Sequence, residues 1–168
     1  MPVTPFQREV LGVIAANRNE DSHFAGGLVL HTADDSARFS HDFDIFHEAA
    51  ADVARASDAD VATLRAAGYD VLPLRGEWSK PDTFRKARVF RGDEHVEIDW
   101  AADSAFRFFP VEKDPLLGCR LHLFDIATNK GLTLSARTET RDYVDIVELA
   151  AAFHRSHRAT TAREGAIR

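Results

Sequence analysis

The run Arg38-Phe39-Ser40-His41-Asp42-Phe43-Asp44-Ile45-Phe46 limits the fold more than any other part of the chain. Phe43 and Ile45 alternate with Asp42 and Asp44, the period of a strand with one apolar face and one polar face. That period puts both carboxylates on the same side of the strand. Two such charges repel each other unless a cation lies between them or one of them takes up a proton. The strand must therefore bury one face in a core and display the other where charge is neutralised. Hard oxygen ligands of this kind suit Mg²⁺, which keeps waters and accepts substrate phosphates as further ligands.

The surrounding sequence supplies that core. Phe6, Val10, Leu11 and Ile14 recur at helical spacing over residues 4–16, with Thr4 as cap and Pro5 in the first turn. In Phe24-Ala25-Gly26-Gly27-Leu28 the two glycines end an extended approach and open a short helix, whose free N–H groups suit a phosphate. Asp34-Asp35-Ser36 reads as a turn. The Ala-rich stretch 48–67, anchored by Val53, Val61 and Leu64, predicts one or two helices stopped by Gly68. Residues 69–74 read as a strand. Residues 84–90 and 95–100 read as a hairpin turning at Gly92 and Asp93, with Val96, Ile98 and Trp100 on one face and Glu97 and Asp99 on the other. The aromatic segment 103–115 reads as a loop or edge strand. Two helices follow, over 121–135 and 141–157. The second is expected to turn Tyr143, Val144, Val147, Ala151 and Phe153 or His154 inward, ahead of a polar, fraying tail. This order is an α+β plan.

The 168 residues fit one domain, here divided into an α+β core over 1–110 and a helical C-terminal part over 111–168. With 45% hydrophobic and 29% charged residues the composition is globular, which excludes a disordered chain. The net charge of -6 argues against a surface that grips nucleic acid along its whole length. A local basic patch remains possible in Arg85, Lys86, Arg88 and Arg91, as a solvated face or as a funnel for triphosphate or RNA. A single cysteine, Cys119, allows no internal disulfide and suits a reducing compartment. No apolar run is long enough for a membrane span, and the first residues lack the pattern of a signal peptide, so the expected location is cytoplasmic.

An Asp-x-Asp pair alone says little. Its weight comes from Gly26-Gly27 before it and from a third carboxylate on the later strand. Asp99 would complete a two-metal site, and Glu97, on the same strand face, can take that role instead. His31, His41 and His47 lie near the pair in sequence, but they lack zinc-ligand spacing. Phe106, Phe108 and Phe109, with Arg107, can stack an unpaired base, although packing is the commoner use of such residues.

Taken together, these motifs resemble the polymerase-β-like nucleotidyltransferase superfamily, and within it the AbiEii/AbiGii-type (MenT-like) nucleotidyltransferase toxins. The likeness rests on Phe24–Gly27, on Arg38–Phe46, on Phe124-Asp125-Ile126-Ala127-Thr128-Asn129-Lys130, and on Arg141-Asp142-Tyr143-Val144-Asp145-Ile146-Val147-Glu148-Leu149, in that order. It implies a mixed twisted sheet flanked by helices, with further helices at the C-terminus. It implies Mg²⁺-dependent transfer of NMP from an NTP to a hydroxyl at a tRNA 3′ end or on a protein, in a toxin–antitoxin or phage-defence setting with a cognate antitoxin. Asp42, Asp44 and Asp99 would bind the metal. Gly26, Gly27, Ser40 and Lys130 would meet the nucleotide, and Asp142 or Asp145 would orient Lys130 or assist deprotonation of the acceptor. Viewed singly, Lys130 is a solvated helix lysine, Asp142 a helix cap and Asp145 an i,i+4 partner of Arg141. The sequence departs from many relatives at Leu28, where a Ser or Thr commonly follows the glycines. The alternative function is a non-catalytic nucleotide- or partner-binding module on the same fold.

Overall fold

The first helix, α1 (Pro5–Ile14), starts at a complete capping box: Thr4 accepts from the Gln7 N–H, and the Gln7 side chain accepts from the Thr4 N–H. Its apolar stripe of Phe6, Val10, Leu11 and Ile14 is buried. A short 3₁₀ turn leads to β1 (Ser22–Ala25), which passes directly into α2 (Gly26–Leu30). Strand β2 (Asp42–His47) shows the expected alternation, with Phe43, Ile45 and His47 buried. Helix α3 (Ala50–Ala66) is a single helix. It ends in a Schellman turn, with Gly68 at φ +85 and the Tyr69 N–H returning to the Leu64 carbonyl. Strands β3 (Asp70–Arg75), β4 (Phe84–Arg91) and β5 (Glu94–Ala102) follow, the last two joined through Gly92 and Asp93.

This computed structural model describes the backbone of residues 3–32, 36, 38–104, 106–136 and 139–165, and their side chains except at 136 and 155–165. Of the expected turn at Asp34-Asp35-Ser36, only Ser36 lies among the described residues.

Two short strands, β6 (Glu112–Asp114) and β7 (Gly118–Arg120), lie inside the part 111–168 expected to be helical. β6 falls in the 103–115 segment read as a loop or edge strand and is an edge strand of the sheet, whereas β7 stands where no strand was expected. With three residues each, they are too short to display a period. They are held by tertiary pairing, with the Leu121 N–H donating to the Phe24 carbonyl at 2.8 Å. The seven strands form one mixed sheet in the order β3-β4-β5-β2-β1-β7-β6. β2 pairs with β5 in parallel and with β1 antiparallel. Helices α1 and α3 cover one face, the side on which Phe43, Ile45, Val89, Val96, Ile98 and Trp100 are buried. Helices α4 (Leu123–Ala136) and α5 (Thr140–Gly165) follow, and the backbone of α5 stays helical to Gly165. The chain forms two compact units, Met1–Asp125 and Ile126–Arg168.

The buried face of α5 differs from the expected one. Tyr143 and Val147 are exposed, whereas Asp142, Asp145 and Leu149 are buried. Apolar periodicity misreads this helix because its two inward carboxylates share a cationic partner, described below.

Charge also organises the core of the first unit. Arg18 and Asp60 form a fully buried ion pair. Asp60 also accepts from Asn17 Nδ2 at 2.8 Å and from Trp100 Nε1 at 2.8 Å, which ties the turn before β1 to α3 and β5. Arg85, itself buried, donates to Asp58 and Ser57 of α3 and to the Lys80 carbonyl, and lies 4.9 Å over the Trp78 ring. That arrangement pins the 76–83 loop against α3. Removing one member of a buried pair strands the other charge, at a penalty of about 3–5 kcal/mol. Asp60→Ala is accordingly expected to lower unfolding free energy by that amount in urea denaturation. A loss under about 1 kcal/mol would contradict this role.

Stability should also fall in mild acid. Burial, reinforced by Arg107 for His23 and by Arg18 for His47, pulls each imidazole from 6.5 down to about 4. The unfolded chain protonates both groups near pH 6.5, while the folded chain resists until about 4. Within that window the unfolded state binds more protons, so stability drops as pH falls, by up to about 2.7 kcal/mol per pH unit where both groups differ fully. Urea denaturation across the window checks the slope.

Candidate metal centre

The strand register builds the site. On one side of β2, Asp42 lies opposite Glu97 and Asp44 opposite Asp99 of β5. On the other side, Asp44 lies opposite Ala25, the last residue of β1. The polar face of β2 thus collects four carboxylates from two strands and adjoins the start of α2. One oxygen from each of Asp42, Asp44 and Asp99 falls within 4.8 Å of the others, the one such group of potential metal ligands among the described residues. His31, His41 and His47 form no such group there.

Glycine is required beside this cluster. Gly26 has φ +65, and a Cβ at that position would sit 1.9 Å from Asp44 Oδ2. A Cβ on Gly27 would sit 2.5 Å from Arg38 Nη2, so the Arg38 guanidinium lies directly against the glycine backbone. Arg38 donates to His31 Nε2 at 3.3 Å, and His31 Nδ1 lies 2.5 Å from Ser36 Oγ. Ser40 is buried. Its hydroxyl donates to the Asp42 carbonyl at 3.3 Å and reaches Asp42 Oδ1 at 3.5 Å, while its carbonyl accepts from Gln7 of α1 at 2.8 Å. Ser40 thereby braces Asp42. Leu28, by contrast, turns fully into the core.

Asp99, and not Glu97, joins the cluster. Glu97 accepts from Arg88 at 2.7 Å and lies 3.0 Å from Lys86 Nζ; these bonds, Arg88 first, hold its carboxyl below the ordinary range. Burial pushes the Asp99 carboxyl up. Lys86 opposes that shift, and the charges of Asp42 and Glu97 add to it. Asp99 Oδ1 lies 2.9 Å from Lys86 Nζ, yet this buried oxygen receives no hydrogen bond of normal geometry. Three clustered carboxylates, one of them carrying a buried acceptor oxygen without a hydrogen bond and another packed against a glycine, fit a hard divalent cation.

The basic run of β4 is dispersed by the same geometry. Arg85 turns into the core, Arg91 pairs with Glu9, and Lys86 and Arg88 pair with the acidic face of β5. A cleft of ≈ 250 Å³ beside Asp42 is lined by Thr4, Gln7, Phe39, His41, His95 and Glu97. Phe106, Phe108 and Phe109 are exposed and form an edge-to-face cluster with Phe124, and Phe109 stacks on His122. Asp125 holds that loop by accepting from the Phe108 and Phe109 N–H groups at 2.7 and 3.1 Å.

In the C-terminal unit, Lys130 Nζ lies 2.7 Å from Asp145 and 3.5 Å from Asp142, both buried. Arg141 pairs with Glu139. The sequence-derived candidates therefore assemble as two groups, one in each unit. Two residues with a place at the first group were missed as such, Arg38 and Lys86. Lys86 was within reach: the two-residue turn at Gly92 and Asp93 sets the hairpin register that places it opposite Asp99.

No family model and no curated protein matches the sequence. Two crystal structures are similar in fold. One is JHP933 from Helicobacter pylori, with TM-score 0.57 and 16% identity over 89% of this chain and 68% of that one. The other is a "putative nucleotidyltransferase" from H. pylori, with TM-score 0.53 and 17% identity over 83% of this chain and 65% of that one. The fold is nucleotidyltransferase-like. The chain spans about two thirds of the length of each of these structures.

Gly26→Ala tests the centre directly. The added methyl must displace the Asp44 carboxylate, so calorimetry should show Mn²⁺ binding weakened by about 10–100-fold, the usual loss when a ligand's support is disturbed. Unchanged affinity would exclude Asp44 as a ligand.

Proposed function

We propose that this protein is a Mg²⁺-dependent nucleotidyltransferase that moves NMP from an NTP to a hydroxyl acceptor. The observation that carries the proposal is the convergence of Asp42, Asp44 and Asp99 beside the Gly26 approach, on a nucleotidyltransferase-like fold. Asp42, Asp44 and Asp99 would hold Mg²⁺. When bound there, the cation would acidify the attacking hydroxyl and neutralise charge on the departing pyrophosphate.

The protein's own groups do the rest. Gly26 keeps space for the Asp44 carboxylate, and Ser40 steadies Asp42. Gly27 allows close backbone approach, and the Arg38 fork against it suits phosphate oxygens. Within the C-terminal unit, Asp142 and Asp145 orient Lys130 so that its ammonium can serve a phosphate. By the motif resemblance the acceptor is the 3′ end of a tRNA or a protein side chain, in a toxin–antitoxin or phage-defence role with a cognate antitoxin. A non-catalytic nucleotide-binding module is the second reading, favoured by the buried Leu28, which brings no hydroxyl to the glycine turn.

Incubation with each labelled NTP, MgCl₂ and either total tRNA or cell lysate tests both readings. Label should pass to one acceptor pool, and Asp42→Asn should reduce transfer at least about a hundredfold, the scale on which loss of a charge-stabilising group slows transfer. No transfer from any nucleotide, with calorimetry still showing NTP binding, would replace the enzyme with the binding module.

A further inference from the structure

The acidic face is arranged in two rows across three strands. In one row Lys86 of β4 lies opposite Asp99 of β5, which lies opposite Asp44 of β2; in the other, Arg88 lies opposite Glu97, which lies opposite Asp42. Four carboxylates facing two cations leave two formal negative charges, the charge of one divalent ion.

The two cations are not equivalent. Arg88 serves Glu97, which stands outside the potential ligand group. Lys86 bridges both carboxylates of β5, 3.0 Å from Glu97 and 2.9 Å from Asp99, and Asp99 belongs to the group. Its head is partly buried, so solvent screens it less than a surface lysine. A lysine ammonium is a compact charge on a flexible stem, able to release one carboxylate while keeping another. If Lys86 moves off Asp99, Glu97 is already within its reach.

We propose that Lys86 is a positioning residue of the metal centre: a tethered cation that holds Asp99 while no divalent ion is bound and shifts onto Glu97 when one arrives. This rests on the reading of Asp42, Asp44 and Asp99 as metal ligands. Lys86 thereby keeps three clustered carboxylates from driving each other apart in the empty centre. It also competes with the ion for Asp99, so it weakens cation affinity and raises the cation concentration at which the centre fills.

Calorimetric titration of the full chain with MnCl₂, and with MgCl₂, in the absence of nucleotide tests this. Lys86→Met keeps the stem and removes the charge. It should bind Mn²⁺ about tenfold more tightly than wild type, since a like charge a few ångströms away no longer opposes the ion. It should also melt at a lower temperature without cation and recover a larger share of that loss on MnCl₂ addition. Lys86→Arg, which retains the charge, should restore wild-type affinity. Unchanged or weaker binding by Lys86→Met overturns the proposal.

Should Lys86→Met not fold, wild-type protein labelled with ¹⁵N-lysine supplies the second measurement. The Lys86 ammonium resonance, assigned by its loss in Lys86→Arg, must shift on MgCl₂ addition, and an unmoved resonance overturns the proposal. These readouts are independent of the transfer assay. Failure of transfer with the expected affinity change removes only the enzymatic reading. Normal transfer without the affinity change removes only the role of Lys86.

Discussion

The parallel pairing of β2 with β5 places like charges opposite each other, Asp42 against Glu97 and Asp44 against Asp99. Directly opposed like charges destabilise a sheet. The pairing persists because the other face of the same two strands buries Phe43, Ile45, Val96, Ile98 and Trp100 beneath α1 and α3. A slip of one residue would relieve the carboxylates but expose that apolar set. Hydrophobic burial thus forces the charges together, and the polar side of the sheet is built around that repulsion.

Its answers come from three directions. β4 brings Lys86 and Arg88, each opposite one carboxylate of β5. The segment before β2 brings Ser40, whose hydroxyl braces Asp42 and whose carbonyl is anchored by Gln7. β1 ends beside Asp44 and turns away through Gly26 at φ +65, where a Cβ would collide with that carboxylate. The C-terminal unit repeats the principle with fewer parts, as Asp142 and Asp145 share Lys130. In each unit a single lysine serves two carboxylates.

How legible each part was depended on the range of the interaction that made it. The Thr4 cap of α1, the single-residue stop at Gly68 and the alternation of β2 and β5 are local, and they were readable. Strand β7 was not, because a three-residue strand carries no period and exists only by pairing with β1 and β6, and for the same reason the 103–115 segment that holds β6 read as a loop or an edge strand alike. The inward face of α5 misled for a related reason. Apolar spacing marked Tyr143 and Val147, while a lysine on a different helix drew Asp142 and Asp145 inward.

For the metal centre, the chain order alone determined that Asp42 and Asp44 share one strand face, that Gly26-Gly27 precede them, and that Glu97 and Asp99 lie together on another strand. Side-chain alternation is a property of the backbone and requires no partner. Which acidic residue becomes the third member was decided only in three dimensions. Lateral pairing of β2, β5 and β4 sets Asp99 beside Asp44 and gives Glu97 to Arg88 and Lys86. The same pairing turned Lys86 from one member of a basic run into the counter-ion of the site. Register between strands distant in sequence follows from the buried face they share, and no local pattern records it.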